Sequence, residues 1–489
     1  MITKRKFSIN KVLMNTLALF LVAGLFYSCE NKNKDAKIFK GSVGPAKAND
    51  YFKSILISQD FTFEDSYFLV ADDFNNDKYP DIVAYGLGGY DTVTNEPFQS
   101  KVYLFTNPGV NLDDTSQTWE SQVIYTLETP VGMNKEDVDG DGLVDIIMCN
   151  SYGRDIEHCL KSGGYIFWLK NPGPGVNKEW ERRYIGRDMA MHRMAVGYFT
   201  QNQTLEIISL PVVGDSGNIH SVLPVAIYNK PNDVLNAKEW EKTMIDNNTF
   251  RLIHDGMVTR NPKLSDHDVL LIASQEGISW LYYDRNGKWQ IENISKGDTS
   301  LADFIDPETG KQITRFWFTG ANTADAGKIK GKSAEYIVSV EPFHGGTVCA
   351  YQKKGNEWVR KVLNKYGHVD DQGFSVGHYV ITNDFNQDNT DEFLVAFPRA
   401  PKGLIYGYPS ERGFNSYDTI RIFDQSVARI ALADFNLDGK QDFATLGYKV
   451  RFYYEDDNPR LFVHLNKMPL KNKLSQNASI ESGENNEEN

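Results

Sequence analysis

Short apolar runs, each preceded by a polar and mostly acidic loop, recur along the chain. The clearest copies are DFNNDKYPDIVAYG from Asp73, DVDGDGLVDIIMCN from Asp137, DFNQDNTDEFLVAF from Asp384 and DFNLDGKQDFATLG from Asp434. Weaker copies begin at Tyr198 (YFTQNQTLEI), at Arg260 (RNPKLSDHDVLLIA) and near Gly327 (GKIKGKSAEYIVSV), so successive units start 50 to 67 residues apart. A second pattern alternates apolar and polar positions behind Trp119, Trp180, Trp240, Trp289 and Trp358, as in WESQVIYTL and WERRYIGR, and reads as an outer strand. Repeats of this period mark a radial array. The expected fold is all-β, a seven-bladed β-propeller of four-stranded antiparallel blades, in which radial repetition leaves only short, protected edges. The ring is expected to close where YFKSILIS (51–58) joins the last blade near VRFYYE (450–455), with RLFVHLN (460–466) left open as a further strand.

The loops carry oxygen side chains at positions 1, 3, 5 and 9. These are Asp73, Asn75, Asp77 and Asp81; Asp137, Asp139, Asp141 and Asp145; Asp384, Asn386, Asp388 and Glu392; and Asp434, Asn436, Asp438 and Asp442. That spacing turns alternate side chains toward one point and suits a hard cation such as Ca²⁺ in a structural role. No bidentate Glu stands at position 12 and no amphipathic helices flank the loops, which sets them apart from an EF-hand. The pattern resembles the FG-GAP or VCBS repeat, a propeller motif whose loop binds calcium. Tight Asn/Asp/Gly turns that need no metal are the alternative.

The ends of the chain read differently from its middle. Lys4, Arg5, Lys6 and Lys11 precede an apolar stretch from Val12 to Phe26, and FYSC ends on Cys29. This is a secretory leader of the lipoprotein kind, with Cys29 as the lipidated residue, and the stretch is short for a membrane span. The expected organisation is leader 1–29, tether 30–48, propeller 49–468 and polar tail 469–489, on a protein secreted and lipid-anchored to a bacterial membrane, on its periplasmic or outer side. Outside the cytoplasm Cys149 and Cys159 could pair, leaving Cys349 as a small buried hydrophobe. A net charge of −13 argues against a nucleic-acid partner, since phosphate contact relies on Lys and Arg.

The histidines are where the repeat carries chemistry. His192, His254 and His378 each lie six residues before their loop's first position, at Tyr198, Arg260 and Asp384; Tyr67, Val131 and Ala428 hold that place in other blades. It is the start of the innermost strand, on the face opposite the acidic loops, so the three imidazoles should meet at the channel mouth. Long loops on that face, 85–101, 150–164 and 211–223, bring Tyr90, Tyr152, Arg154, His158 and His220, and EPFHGGTV brings Glu341 and His344. Converging neutral imidazoles suit Zn²⁺ or another divalent metal, or without metal a general base and proton donors. Arg193, beside His192, can hold a carboxylate or an oxyanion. A hydrogen-bonded packing role is the plain alternative for any one of these histidines.

The stretches EPFHGGTVCAYQKKGNEW, GHYVITNDFNQDNTDEFLVAF and HRMAVGYF…LEIISLP are similar to the propeller domain of the aldos-2-ulose dehydratases, over roughly residues 50 to 456. The resemblance implies elimination of water from a keto-sugar such as 1,5-anhydrofructose, metal ions in the protein, and site roles for His192, His254, His344 and His378. Near Tyr448, where many relatives are expected to carry a histidine, this chain has TLGYKVRFYYE. Proton removal next to a carbonyl needs a base and the enolate needs positive charge, which the histidines, Glu341, Arg193 and a tyrosine can supply. The expected function is a carbon–oxygen lyase acting on a keto-sugar or oxidised glycoside. A non-catalytic glycan-binding lipoprotein of a polysaccharide-utilisation system and an integrin-like adhesion propeller are the competing readings.

Overall fold

The computed structural model describes residues 51–469 except for 58–65, 92–93, 95, 113–118, 155, 157, 215–220, 301–302, 306–311, 315–318, 367–376, 399–401, 410–416 and 450–458. The expected leader, Cys29, the tether, the tail after residue 469 and His220 lie outside the described residues. Seven four-stranded antiparallel sheets make a β-propeller. Their innermost strands are Ser66–Asp72, Gly132–Glu136, Met191–Gly197, Asp255–Arg260, Thr323–Ile329, Tyr379–Asn383 and Arg429–Ala433, each beside the next around the ring. Among the described residues no helix is long and apolar enough to cross a membrane.

Burial explains the two sequence patterns. The second strand of each blade lies between neighbouring blades, so Asp81–Gly86, Asp145–Asn150, Glu206–Pro211 and Glu392–Phe397 are buried at every position. A strand covered on both faces shows no alternation. Outer strands such as Glu120–Glu128 have one edge in solvent and keep the mixed pattern. The tryptophans that open them pack inward on the preceding blade: Trp180 on Phe74 and Trp119 on Phe435, with ring centroids 6.3 and 6.2 Å apart.

Closure differs in one respect from the expectation. Phe52–Leu56 does complete the seventh blade, but its partner is Leu461–Asn466, in register from Phe52↔Asn466 to Leu56↔Phe462. The stretch 450–455, expected as the partner, lies outside the described residues. Leu461–Asn466 stands well after Asp442–Leu446 in the sequence, which hid its membership of the blade.

The acidic loops share one geometry. The first-position carboxylates of Asp73, Asp137, Asp384 and Asp434 accept backbone N–H groups four and five residues on, at 2.7–3.1 Å. The ninth-position carboxylates are buried and also hold backbone: Asp81 accepts from Phe74 and Asn107, Asp145 from Val138 and Asn171, and Asp442 from Phe435 and Asn466. Those three asparagines then reach the preceding blade, donating to Phe435 O, Phe74 O and Phe385 O. The loops therefore tie blade to blade. Among the described residues, Asp137, Asp139 and Asp145 bring ligand atoms within 4.8 Å of one another, and the Lys170 ammonium sits on Asp139 and Asp141 of the same loop. Cys149, Cys159 and Cys349 are buried, and no disulfide joins Cys149 to Cys159.

Candidate active site

The starts of the inner strands occupy one register. The backbone N–H groups of Val131, His254, Asn322, His378 and Ala428 each donate to the end of the second strand of their own blade, at Cys149, Ala273, Val340, Ala396 and Leu446. His192 and Tyr67 stand second in their strands. Asn322 thus fills in the fifth blade the place that histidine fills in the fourth and sixth. It could not be counted from a loop, because strands Thr323–Ile329 and Lys332–Glu341 are joined by the tight turn Lys330–Gly331 with no acidic loop between them.

The imidazoles meet. His254 is central, its ring centroid 5.1 Å from His192, 5.2 Å from His344 and 5.4 Å from His378. His344 arrives from the loop after Lys332–Glu341, stacked on Phe343 at 4.3 Å. His192, His254 and His378 are only 7%, 3% and 1% exposed, so the cluster is nearly sealed, and half-buried His344 is its most open member. Tyr448 covers His378 at 4.8 Å and Tyr152 lies 6.1 Å from His192.

Backbone carbonyls orient the rings. His254 Nδ1 lies 2.9 Å from Asn322 O, and His378 Nδ1 lies 3.0 Å from Ala428 O, each carbonyl belonging to the next blade. A carbonyl only accepts, so Nδ1 carries the proton in the neutral ring and Nε2 the lone pair. Asn322 also donates to Gly377 O and His378 O and accepts from His344 N. One side chain and one carbonyl of Asn322 therefore fix three of the four histidines. Burial holds His192, His254 and His378 well below the usual imidazole range, with the charges of Arg193 and Arg429 acting the same way on His192 and His378.

Behind the rings lies a charged network. Arg193 donates to Val131 O at 2.6 Å, to His192 O at 2.8 Å and to Tyr67 Oη at 3.0 Å, while Tyr67 Oη is 3.2 Å from His192 Nε2. Arg429 donates to Asp255 Oδ2 at 3.3 Å across the ring, and Arg193 Nε is 4.0 Å from Asp255 Oδ1. Asp255, Thr323 and Arg429, like Arg193, directly follow the inner-strand starts. Counting five residues back from Asp434, as from Tyr198 to Arg193, would have found Arg429.

Other expected site residues fall elsewhere. The Glu341 carboxylate faces away from the imidazoles' hydrogen bonds: it accepts from Ser339 Oγ at 2.6 Å, from Tyr351 Oη and from Arg360 Nε at 2.8 Å, within its own blade. A carboxylate so filled anchors its own blade, which argues against the catalytic role expected of it. Arg154 and His158 are exposed and joined backbone to backbone at a loop tip, and Tyr90 pairs with Pro97 in the first blade's long loop. As for a metal, the tautomers suit ligation through Nε2, but among the described residues no three of these imidazoles bring nitrogens within 4.8 Å of one another. The spacing fits a proton-handling cluster better than a ready cage for one ion.

Residues 163–354 match the family model of the aldos-2-ulose dehydratase β-propeller domain. An aldos-2-ulose dehydratase of Phanerodontia chrysosporium is 28% identical over 436 residues, covering 85% of this chain and 46% of the relative, so the chain spans about half the length of that protein. Among solved structures, an Agrocybe aegerita lectin recognising non-reducing terminal N-acetylglucosamine aligns at 13% identity with a TM-score of 0.45, covering 78% of this chain and 92% of the lectin.

Proposed function

We propose that this propeller is a carbon–oxygen lyase of the sugar dehydratase kind, eliminating water or an alkoxide from a keto-sugar or oxidised glycoside at the imidazole cluster. The observation that carries this reading is the pair His254 and His378, neutral and locked with Nδ1–H on a backbone carbonyl, which leaves Nε2 as a proton acceptor. Likeness to a protein named for that activity supports the class of chemistry.

The steps balance on residues of this chain. Nε2 of His254 or His378 takes the proton α to the carbonyl, and the C–H electron pair passes into an enolate. Arg193 stabilises the enolate charge. Collapse of the enolate restores the carbonyl, shifts the enolate C=C pair into the new Cα–Cβ double bond and breaks the Cβ–O bond, and the departing oxygen takes a proton from Tyr67. His192, hydrogen-bonded to Tyr67, relays the replacement. We further infer that Ca²⁺ sits, as a structural ion, in the acidic loops between the first and second strands of the blades, and that Cys29 carries lipid at a bacterial membrane.

The test is a panel of keto-sugars including 1,5-anhydrofructose, followed by ultraviolet absorbance of the conjugated product. Turnover is expected in the wild type, with a loss of about 10²- to 10⁴-fold in His254→Ala and His378→Ala. Sugar binding without any absorbance gain would reverse the reading in favour of a glycan-binding protein.

A further inference from the structure

Arg429 is 2% exposed and lies between two aromatic rings, its Cζ 4.7 Å from the Phe68 centroid and 4.4 Å from that of Tyr379. Its Nη1 is used on Asp255. Its Nε and Nη2, the two donors along one edge of the guanidinium, have no hydrogen-bond partner. Arg193 Nε and His192 Nδ1 nearby have none either. Asp255 does not supply the missing acceptors: its Oδ2 takes the Thr323 hydroxyl at 2.8 Å and Arg429 Nη1 at 3.3 Å, and its Oδ1 takes Gly256 N at 3.1 Å. Two guanidinium cations, Arg193 and Arg429, share the single carboxylate of Asp255 at ion-pair distance.

The geometry of the open edge selects a ligand. Nε–H and Nη2–H run parallel at the spacing of the two oxygens of a carboxylate, the bidentate match at which arginine excels. Rings on both faces leave that edge for a partner, and a sugar hydroxyl satisfies only one donor and no charge. Buried donors in native proteins are rarely left without an acceptor.

We propose that the Nε and Nη2 edge of Arg429 receives the carboxylate of a sugar acid, so that the site prefers a hexuronate over a neutral sugar. The proposal rests on the imidazole cluster being the sugar site. It adds the substrate class and assigns Arg429 the specificity-determining role.

Isothermal titration of the whole chain with D-glucuronate, its neutral methyl ester and D-glucose tests this without any turnover. Glucuronate is expected to bind wild type at least about tenfold more tightly than either neutral sugar. Arg429→Gln, checked for fold by circular dichroism and melting, should lose that preference. Arg429→Lys, which keeps a cation beside Asp255 without the planar edge, should retain only part of it. Equal binding of acid and ester by wild type overturns the proposal, and so does an undiminished preference in folded Arg429→Gln. If Arg429→Gln does not fold, the acid-against-ester comparison on wild type decides alone. A protein that dehydrates neutral keto-sugars but shows no acid preference sinks this proposal and spares the lyase reading; acid binding with no elimination does the reverse.

Discussion

Asn322 is the residue on which most of the site's order depends, although it touches no expected substrate atom. It is fully buried and bonds His254, the His344 backbone and the turn at Gly377 and His378. Asn322→Ala removes the donors and acceptor of the side chain but keeps the carbonyl that orients His254. It is therefore expected to cost about 1–3 kcal/mol of stability, read by denaturant unfolding, and to reduce turnover through misplacement of His344 and His378. His254→Ala should separate the two effects, with activity lost and the melting temperature little changed. The imidazoles also set an acid limit. Their folded pKa values are depressed, so their contribution to stability is present above the unfolded value near 6.5 and is lost as pH falls below it. Relative to the double variant His254→Gln, His378→Gln, the wild-type melting temperature should fall as pH goes from 7 to 5.

The acidic loops behave as repeated elements and carry the opposite pH dependence. Burial, with neighbouring loop carboxylates adding to it, pushes Asp81, Asp145 and Asp442 up to about 7 and Glu392 up to about 8. A carboxylate whose folded pKa is raised contributes stability below its unfolded value near 4, and that contribution is lost as pH rises through the folded one. In chelator the melting temperature should therefore drop as pH rises from about 4 to about 8 and level off above that. If Ca²⁺ occupies the loops, the rise in melting temperature on adding it should grow across the same interval, and an increment that stays at zero removes calcium from the account. The loops also explain what was legible in the chain. Their carboxylates and the apolar strands behind them recur at fixed offsets, so seven blades, the tryptophan strands and the meeting of His192, His254 and His378 follow from counting. The fifth blade lacks the loop, and Asn322 was hidden with it. Cross-ring partners such as Arg429 with Asp255 depend on how seven strand starts face one axis, which no local pattern encodes. The carboxylate of Glu341 looked catalytic because its partners Tyr351 and Arg360 come from the next two strands. Backbone strain was invisible too: loop positions 4 and 6 are left-handed in all four clear copies, and Leu437, at φ 56°, is the bulky residue among Asn76, Gly140 and Gln387. Leu437→Asn should raise stability by a few tenths to about 1 kcal/mol in denaturant unfolding, since asparagine tolerates that conformation.

At the scale of the whole ring, site and closure are one problem. The sixth-blade His378 is oriented by Ala428 O and covered by Tyr448, both from the seventh blade, and that blade is finished by a strand from the start of the propeller. The joint is held by apolar burial and by His464, which lies 1% exposed between the hydroxyls of Ser54 and Thr445, each 2.8 Å from one of its ring nitrogens. This histidine is structural. Ser54→Ala removes one hydrogen bond and should cost about 0.5–1.5 kcal/mol with activity intact. Ile55→Asp places an unpaired carboxylate at a position 4% exposed within the closing blade and should cost considerably more. Its effect on the site is the discriminating part. If the imidazole cluster depends on a closed ring, Ile55→Asp will lower turnover at temperatures where circular dichroism still reports intact sheet, because the seventh blade loosens and takes Ala428, Tyr448 and Arg429 with it. If activity instead tracks only the folded fraction, the seventh blade and its inner-strand residues contribute nothing particular to the site, and the importance given to Arg429 falls with it.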